Sequence, residues 1–144
     1  MSITSSMLAQ MRAEIAPVKT ETKPRAKSPE RDLQVAVLGY LANALPSDAV
    51  VWATPNGQKR SGYERREFIA LGGVAGIPDL FVLYRGMLIG LELKSKRGRL
   101  KASQEVMGQR LRQAGARWAV CRSVEAVEWA LDCSGIPLKA RVSA

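Results

Sequence analysis

Two short apolar runs on either side of Arg85-Gly86 constrain the fold of this chain most strongly. Leu80–Tyr84 and Met87–Leu93 are rich in Leu, Ile, Val, Phe and Tyr, which favours strands, and the glycine between them favours a tight hairpin. With a two-residue loop Tyr84 faces Met87. Counting outward from this pair, Asp79, one residue before the first run, falls opposite Glu92 in the second run. Opposed residues have Cβ atoms roughly 5 Å apart. A three-residue loop would instead put the two acids on opposite faces of the sheet.

The hairpin therefore predicts a cluster of two carboxylates and an amine. Glu92 and Lys94 are two residues apart on one strand and share a face, whereas Leu93 is predicted to be buried on the other face. Opposed carboxylates repel, and a divalent cation such as Mg²⁺, which prefers carboxylate oxygens, would remove the repulsion. In the alternative interpretation Lys94 alone balances both acids on a solvated face, where ion pairs contribute little.

The composition restricts both the partner and the chemistry. The chain has 144 residues, which fits one domain, and its 22 Lys and Arg against 13 Asp and Glu give a formal net charge of +9. Such a basic chain indicates an anionic partner, most simply nucleic acid. Because the chain has no histidine, histidine-dependent nucleophiles and zinc sites are excluded. Acid–base chemistry must rely on carboxylates, lysine, tyrosine or a metal.

The cysteines, the tryptophans and the absence of long apolar segments predict where the protein is located and which residues form its core. Two cysteines without histidine cannot form a structural zinc site, and Cys121 is predicted to be a buried thiol. The N-terminus has no continuous apolar segment of the signal-peptide type and no stretch is long enough for a membrane span, so we expect a cytoplasmic protein and no membrane partner. Trp52, Trp118 and Trp129 lie in apolar runs and are predicted to be core.

The order of predicted elements is helix, three strands, helix, strand, helix, which predicts a mixed sheet between helices. Residues 1–29, interrupted by prolines and basic, are predicted to be a flexible tail, residues 30–135 the folded domain, and residues 136–144 a short C-terminal tail. Besides the hairpin, the predicted elements are a helix from Ser28-Pro29 that ends at Pro46, a strand at Val50–Ala53, a helical turn around 65–71, a helix over 103–113, a strand over 117–122 and a helix over 123–131.

Three motifs along this order resemble those of a known family. They are Gly76-Ile77-Pro78-Asp79 before the hairpin, Glu92-Leu93-Lys94 in it, and Gln104 in the following helix. In this order they resemble the PD-(D/E)XK nuclease superfamily, and more closely its VRR-NUC branch. The resemblance extends from about Glu30 to Leu131, and it includes an Asn56-Gly57 and Arg60 segment and a Glu30 to Gln34 motif. Lys101 departs from the pattern, since such proteins often carry Ser or Thr there.

The resemblance implies an α/β, restriction-endonuclease-like core, a mixed sheet flanked by helices, with a metal at its site. Asp79 and Glu92 would hold Mg²⁺ or Mn²⁺ together with the Leu93 backbone carbonyl. Glu30 would add a further metal-directed acid from the first helix, with Asp32 as the alternative. Among the residues with catalytic roles, Lys94 would orient or deprotonate the attacking water or stabilise charge on the phosphate, and Gln104 would hydrogen-bond Lys94 or a phosphate.

The resemblance also implies a DNA substrate. We expect a metal-dependent endonuclease of a bacterium or of its phage, selective for four-way or otherwise branched DNA in repair or recombination, that acts as a homodimer. A non-catalytic DNA-binding module and a sequence-specific restriction-type enzyme are the alternatives, and no separate recognition domain is visible for the latter. The predicted DNA-contacting residues are Asn56, Arg60, Tyr63, Lys96, Arg97, Arg99 and Lys101.

Overall fold

The computed structural model describes residues 28–55 and 60–142, and the predicted N-terminal tail, apart from its last two residues, lies outside them. The described chain forms four helices and four strands. In chain order these are α1 (Pro29–Ala44), β1 (Val50–Ala53), α2 (Gly62–Ala70), β2 (Leu80–Tyr84), β3 (Met87–Leu93), α3 (Ala102–Gln113), β4 (Arg117–Cys121) and α4 (Val124–Cys133).

The four strands form one mixed sheet in the order β1-β2-β3-β4. β1 pairs with β2 and β2 with β3 in the antiparallel sense, whereas β3 and β4 run parallel and are connected through α3. Parallel neighbours need such a crossover, and the helix predicted between the last two strands provides it. The predicted mixed sheet flanked by helices is confirmed.

The hairpin between β2 and β3 has the predicted two-residue loop. Tyr84 pairs with Met87, and Arg85 and Gly86 have φ angles of 45° and 80°. Positive φ at both loop residues is the requirement of the turn that matches the twist of a tight hairpin, and glycine adopts it without strain. This turn fixes the register that places Asp79 and Glu92 opposite each other.

One face of the sheet holds the main hydrophobic core. α1 and α4 cover this face and contribute fully buried side chains such as Val37, Leu41 and Leu131. Leu93 is buried among them, as predicted, together with Ile89, Leu91 and the Cys121 thiol from the sheet. Alternate residues of β3 therefore point away from the core. Gly90 and Glu92 consequently lie on the opposite face.

α3 covers that second face, and small residues allow the close approach. A Cβ added at Gly108 would lie 2.3 Å from the Trp118 ring, so the indole of β4 lies directly against the α3 backbone. A Cβ at Gly76 would lie 2.1 Å from the Ser103 carbonyl oxygen, and Gly76 has a φ of 79°. The first turn of α3 thus rests on the segment that leads to Asp79.

The helix between β1 and β2 is longer than predicted. A turn around residues 65–71 was expected, but α2 spans Gly62–Ala70. Ser61 caps it, since its hydroxyl accepts from the Glu64 backbone N–H while the Glu64 carboxylate accepts from the Ser61 N–H. The Ser-x-x-Glu spacing that predicts this capping box is visible in the sequence.

Two tryptophan predictions are wrong. Trp129 is 71% exposed and Trp52 is 40% exposed, although Trp52 stacks on Phe81 with ring centroids 5.4 Å apart. Trp129 lies on α4, whose buried residues are Val127, Ala130 and Leu131. These have the spacing of one helix face, and Trp129 falls outside it.

The segment after α4 packs back onto the fold. Ile136 is 2% exposed, and the Lys139 N–H donates to the Ala44 carbonyl at 2.8 Å. The Tyr40 hydroxyl donates to Glu128 at 2.9 Å, and burial with this carboxylate raises the pKa of Tyr40 to about 12. Residues 136–142 therefore connect α1 to α4. In the described part of the chain, none of the helices has the length and apolar character needed to cross a membrane.

Candidate active site

The carboxylates of Asp79 and Glu92 converge where β2 begins and β3 ends. Leu80 pairs with Leu91, so Asp79, one residue earlier, lies opposite Glu92. The Leu93 N–H donates to Asp79 Oδ2 at 2.8 Å, which fixes the Asp79 carboxylate across the hairpin. The register predicted from the loop length is thus the one that brings the two acids together.

Glu92 is buried rather than solvated. Its exposed fraction is 1%, and Oε1 accepts from Gln104 Nε2 at 2.5 Å and lies 3.4 Å from Lys94 Nζ. Within the described residues, Oε2 is buried and has no hydrogen-bond partner. A buried carboxylate oxygen without a partner is costly, and few such atoms persist in folded proteins without a role. This oxygen therefore lacks the compensation that Gln104 and Lys94 give to Oε1.

The electrostatics of Glu92 agree with this geometry. Burial, and secondarily the negative charge of Asp79, raise the pKa of Glu92 to about 7, against the opposing effect of Lys94. The ion pair with one lysine therefore does not compensate the carboxylate fully. The interpretation in which Lys94 alone balances both acids on a solvated face is wrong, since Glu92 and Lys94 are only 1% and 6% exposed.

Gln104 connects the carboxylate to the start of α3. Its Nε2 donates to Glu92, and its Oε1 accepts from the Lys101 backbone N–H at 2.9 Å. The side chain thereby satisfies one of the unpaired N–H groups at the helix start, where the Lys101 side chain makes no capping bond. The contact expected from sequence was Lys94 or a phosphate. The described contact is instead with Glu92, whose Oε1 it holds in place.

Small residues and one threonine position Asp79. A Cβ at Gly90 would lie 2.8 Å from Pro78 Cγ, so Pro78 packs directly on the β3 backbone. Thr54, just after β1, donates through its hydroxyl to the Pro78 carbonyl at 2.5 Å and through its N–H to the Asp79 carbonyl at 2.9 Å. The Gly-x-Pro-Asp segment is therefore held from both sides. Thr54 was not identified from the sequence.

Glu30, and not Asp32, faces the acids. Glu30 lines the same cleft as Asp79 and Glu92, and its negative charge contributes to the raised pKa of Glu92. Its Oε1 lies near Gly98, where an added Cβ would come within 2.9 Å of it. Asp32 is directed to solvent, with a side chain that is 68% exposed and 3.9 Å from Arg31. Of the two alternatives from the first helix, the geometry favours Glu30.

The acids lie in an open cleft with a volume of about 580 Å³ between α1, the hairpin end and α3. Basic side chains share this cleft with the acids. The lining residues are Ser28, Glu30, Arg31, Gln34, Asp79, Glu92, Leu93, Lys94, Arg99, Lys101 and Gln104. Arg99 and Lys101 thus lie where the sequence predicted them, and Arg31 is a cation that sequence reasoning missed. Its only signal was its position one residue after Glu30.

Lys96 and Arg97 lie in the turn formed by residues 95–98, and they do not line the cleft that contains the acids. They line a second, largely apolar pocket of about 420 Å³ with Pro29 and Leu33. Arg122, which was not identified from the sequence, donates from Nη1 to the Ser95 and Gly98 carbonyls at 2.6 and 2.7 Å. Its guanidinium therefore holds the turn that separates the two groups of cations.

The predicted DNA contacts of the 54–73 loop are only partly described. Asn56 lies outside the described residues. The Arg60 guanidinium lies 3.9 Å from the centroid of the Phe68 ring and donates to the Pro55 carbonyl at 3.3 Å. Tyr63 is 67% exposed on α2. Their contacts with DNA stay predictions.

The residues present fit a hard divalent cation. Asp79 and Glu92 line one cleft from adjacent strands, and Glu92 Oε2 is buried without a protein partner in the described chain. Oxygen ligands of this kind suit Mg²⁺ or Mn²⁺, which retain several waters and need few protein ligands. Residues 28–55 and 60–142 contain no group of three or more His, Cys, Asp or Glu side chains close enough to share one ion. Asp79, Glu92 and the adjacent Leu93 carbonyl are therefore the fitting set, with Glu30 farther away.

Comparison with known proteins agrees with the fold. No family model matches the chain, and no curated protein matches it. A solved structure described as a VRR_NUC domain protein matches with a TM-score of 0.62 and 17% identity over 76% of this chain and 89% of its own. A second, described as a VRR_NUC domain, has a TM-score of 0.49 and 22% identity over 74% of this chain and 97% of its own.

The chain accordingly has a restriction-endonuclease-like fold, a mixed four-stranded sheet with flanking helices. Within that class its similarity is to VRR-NUC domains, which confirms the resemblance at the level of the fold. It is therefore a domain of this fold in which Asp79 and Glu92 lie opposite each other on β2 and β3.

Proposed function

We propose that this protein is a divalent-metal-dependent DNA endonuclease, selective for branched DNA in repair or recombination. One observation carries the proposal: Asp79 and Glu92 converge in a cleft lined by cations, and Glu92 Oε2 is buried with no partner among the described residues. A purely structural ion pair would not leave that oxygen unsatisfied. The fold similarity to VRR_NUC domain proteins supports the nuclease part of the proposal.

Asp79, Glu92 and the Leu93 carbonyl would hold the cation. When bound, Mg²⁺ or Mn²⁺ supplies a Lewis acid for the phosphate and lowers the pKa of water. Gln104 holds Glu92 Oε1 through a hydrogen bond, and Oε2 would then be the oxygen that binds the cation. Glu30, at the edge of the cleft, adds negative charge that favours cation binding.

Lys94 would act on the phosphate itself. An ammonium has three N–H donors, and the approach to Glu92 Oε1 at 3.4 Å occupies one direction. Because Lys94 is only 6% exposed, its charge acts in a less polar environment than that of a surface lysine. It is thus positioned to stabilise negative charge that develops on the phosphate or to orient the attacking water.

The cations around the cleft would bind the DNA backbone. Arg31, Arg99 and Lys101 line the acidic centre, and the chain as a whole carries a net charge of +9. Contacts to phosphates bring affinity without sequence information and make binding depend on salt. A four-way junction has two symmetric strands to cut, so a homodimer with one centre per subunit would match it.

A panel of labelled substrates tests the proposal. Four-way junction, flap, linear duplex and single-stranded DNA are incubated with the protein in Mg²⁺, in Mn²⁺ and in EDTA after metal stripping. We expect cleavage only with a divalent cation and faster cleavage of branched DNA. Cleavage that persists in EDTA would rule out the metal. Binding without cleavage under every condition would identify a non-catalytic DNA-binding module.

A further inference from the structure

The apolar pocket beside the acidic cleft takes no part in the chemistry proposed above. Its volume of about 420 Å³ is near the lower end of the range for small-molecule sites, about 300–1,000 Å³. In the described chain, no acidic side chain lines this pocket. Its lining residues are Pro29, Leu33, Ser95, Lys96, Arg97 and Arg122. The start of α1 therefore contributes an apolar wall, and the turn at residues 95–98 and the residue after β4 contribute three cations.

This combination of side chains indicates the chemistry of the ligand. The three cations favour an anion, whereas the apolar wall gives a phosphate alone nothing to bind. A nucleotide has both parts, since its phosphate is charged and its base is a flat ring that stacks on guanidinium groups. The net charge of +9 on the whole chain indicates nucleic acid in the same way.

The walls of the pocket are held in place without a ligand. Arg122 Nη1 donates to the Ser95 and Gly98 carbonyls at 2.6 and 2.7 Å, which fixes the guanidinium against the turn. Leu33 is half-buried and packs against the hydrophobic core. Groups that are already ordered lose little further freedom when a ligand binds, so a preformed pocket binds more tightly than a flexible one.

The pocket adjoins the cleft that contains the acids. Pro29 lines the pocket and its neighbour Glu30 lines the cleft. In the same way, Ser95 lines the pocket and Lys94 lines the cleft. Because neighbouring Cα atoms are only about 3.8 Å apart, a strand with one phosphate at the acids reaches the pocket with an adjacent nucleotide.

We propose that this pocket binds one unpaired nucleobase of the DNA strand, next to the phosphate that lies at the acids. The inference deepens the proposed function and rests on it for the position of that phosphate. Taking a base out of a duplex costs free energy, and the cost is least for a base that is already single-stranded. The pocket therefore favours a branch with a single-stranded arm, which gives the selectivity for branched DNA a structural basis.

The test measures DNA binding by the full-length protein without divalent cations, so that cleavage does not enter. Two duplexes with a single-stranded arm are compared, identical except that the arm nucleotides nearest the branch carry bases in one and are abasic in the other. Every phosphate is kept in both. Fluorescence anisotropy gives the dissociation constants. Wild type should bind the abasic DNA at least about fivefold more weakly, as expected for the loss of a base stacked on a guanidinium.

Two pocket variants and one control locate this effect. Leu33→Ala removes part of the apolar wall, and Arg122→Lys, at an exposed position, keeps the charge but removes the planar group. In both variants the difference between the two DNAs should shrink toward none, with binding of the abasic DNA unchanged. Leu38→Ala is the matched control, since Leu38 is also half-buried on α1 and packs against the core but lies outside the pocket lining. It should keep the wild-type difference, and circular dichroism should show all three variants folded.

The outcomes separate this inference from the nuclease proposal. Equal affinity of wild type for the two DNAs, or an unchanged difference in both pocket variants, would overturn the inference. Equal weakening of both DNAs by the pocket variants would also overturn it, because the pocket would then contact phosphates alone. A base dependence that both pocket variants lose, in a protein that cleaves no DNA in Mg²⁺, would support the pocket and contradict the nuclease proposal.

Discussion

At the residue scale, the decisive feature is a buried glutamate whose negative charge the folded protein compensates only in part. Glu92 is 1% exposed, has one oxygen held by Gln104 and Lys94, and has the other buried without a partner among the described residues. Burial and Asp79 raise its pKa from the ordinary 4.5 to about 7. The unfavourable electrostatic energy is confined to this carboxylate, and a bound cation would lower it.

The raised pKa predicts how stability depends on pH without divalent cations. Between pH 4.5 and about 7 the folded protein keeps a proton on Glu92 that the unfolded chain has released. The free energy of unfolding should therefore decrease as the pH rises through this window, with no further contribution above it. Urea unfolding in EDTA at a series of pH values measures the slope.

Glu92→Gln is the matched variant for the pH prediction, because its amide does not titrate. Its stability should lack the decrease between pH 4.5 and 7. Mg²⁺ should raise the melting temperature of wild type more at pH 8 than at pH 5, since the cation competes with the proton. Identical slopes in wild type and Glu92→Gln would show that another group is responsible.

Lys94 should matter more for rate than for affinity. One cation among many contributes a small part of DNA binding, whereas a positioned charge at the phosphate is worth on the order of 10²-fold in rate. Lys94→Ala should therefore slow single-turnover cleavage by about 10²-fold or more with little change in binding. Arg110→Ala, an exposed cation on α3, serves as the control. Proportionate losses of rate and affinity would make Lys94 an ordinary binding residue.

The sequence predicted which residues meet at the site but not their burial. The hairpin register follows from local rules, because a two-residue loop with glycine places Asp79 opposite Glu92. The burial of Glu92 and Lys94 depends on α3 covering that face of the sheet, which is a tertiary contact. The bond from Gln104 to Glu92 has the same origin, and so no local pattern reveals it.

At the element scale, strands and helices with strong local signals were the predictable ones. β1, β2 and β3 have the predicted bounds, and α3 begins one residue earlier than expected. α2 was underestimated because only a helical turn was predicted in a segment that contains Asn56-Gly57 and Gly72-Gly73, whereas Ser61 and Glu64 determine where the helix starts. Trp129 was misplaced because it adjoins the buried stripe of α4 in sequence without belonging to it.

The contact between α3 and the segment before β2 gives an element-scale prediction. Gly76→Ala adds a methyl group that would lie 2.1 Å from the Ser103 carbonyl oxygen, at a φ of 79°. We expect a loss of about 2–5 kcal/mol of unfolding free energy, combining backbone strain with overpacking. Urea unfolding at a single pH measures it.

Gly115→Ala separates the two contributions to the Gly76 effect. Gly115 also has a positive φ, of 93°, but a Cβ there would meet nothing within 4 Å. It should therefore cost only the backbone strain, about 1 kcal/mol. Equal losses in the two variants would mean that α3 does not rest on Gly76 in solution.

At the scale of the whole molecule, the charged side chains of residues 28–55 and 60–142 are unevenly distributed. Three cations, Arg31, Arg99 and Lys101, line the cleft. The helix α2, in contrast, carries two positive and two negative side chains. The net charge of +9 is readable from composition, but the placement of these cations beside Asp79 and Glu92 requires the fold.

The most direct test of the central claim is cleavage of a labelled four-way junction in Mg²⁺ by wild type, Asp79→Asn, Glu92→Gln and the control Glu105→Gln. Glu105 is an exposed acid in the first turn of α3, close in sequence to Gln104 but outside the cleft lining. The account predicts that wild type and Glu105→Gln cleave, and that Asp79→Asn and Glu92→Gln bind the junction but lose at least about 10²-fold in rate. Cleavage by Glu92→Gln at the wild-type rate would contradict it.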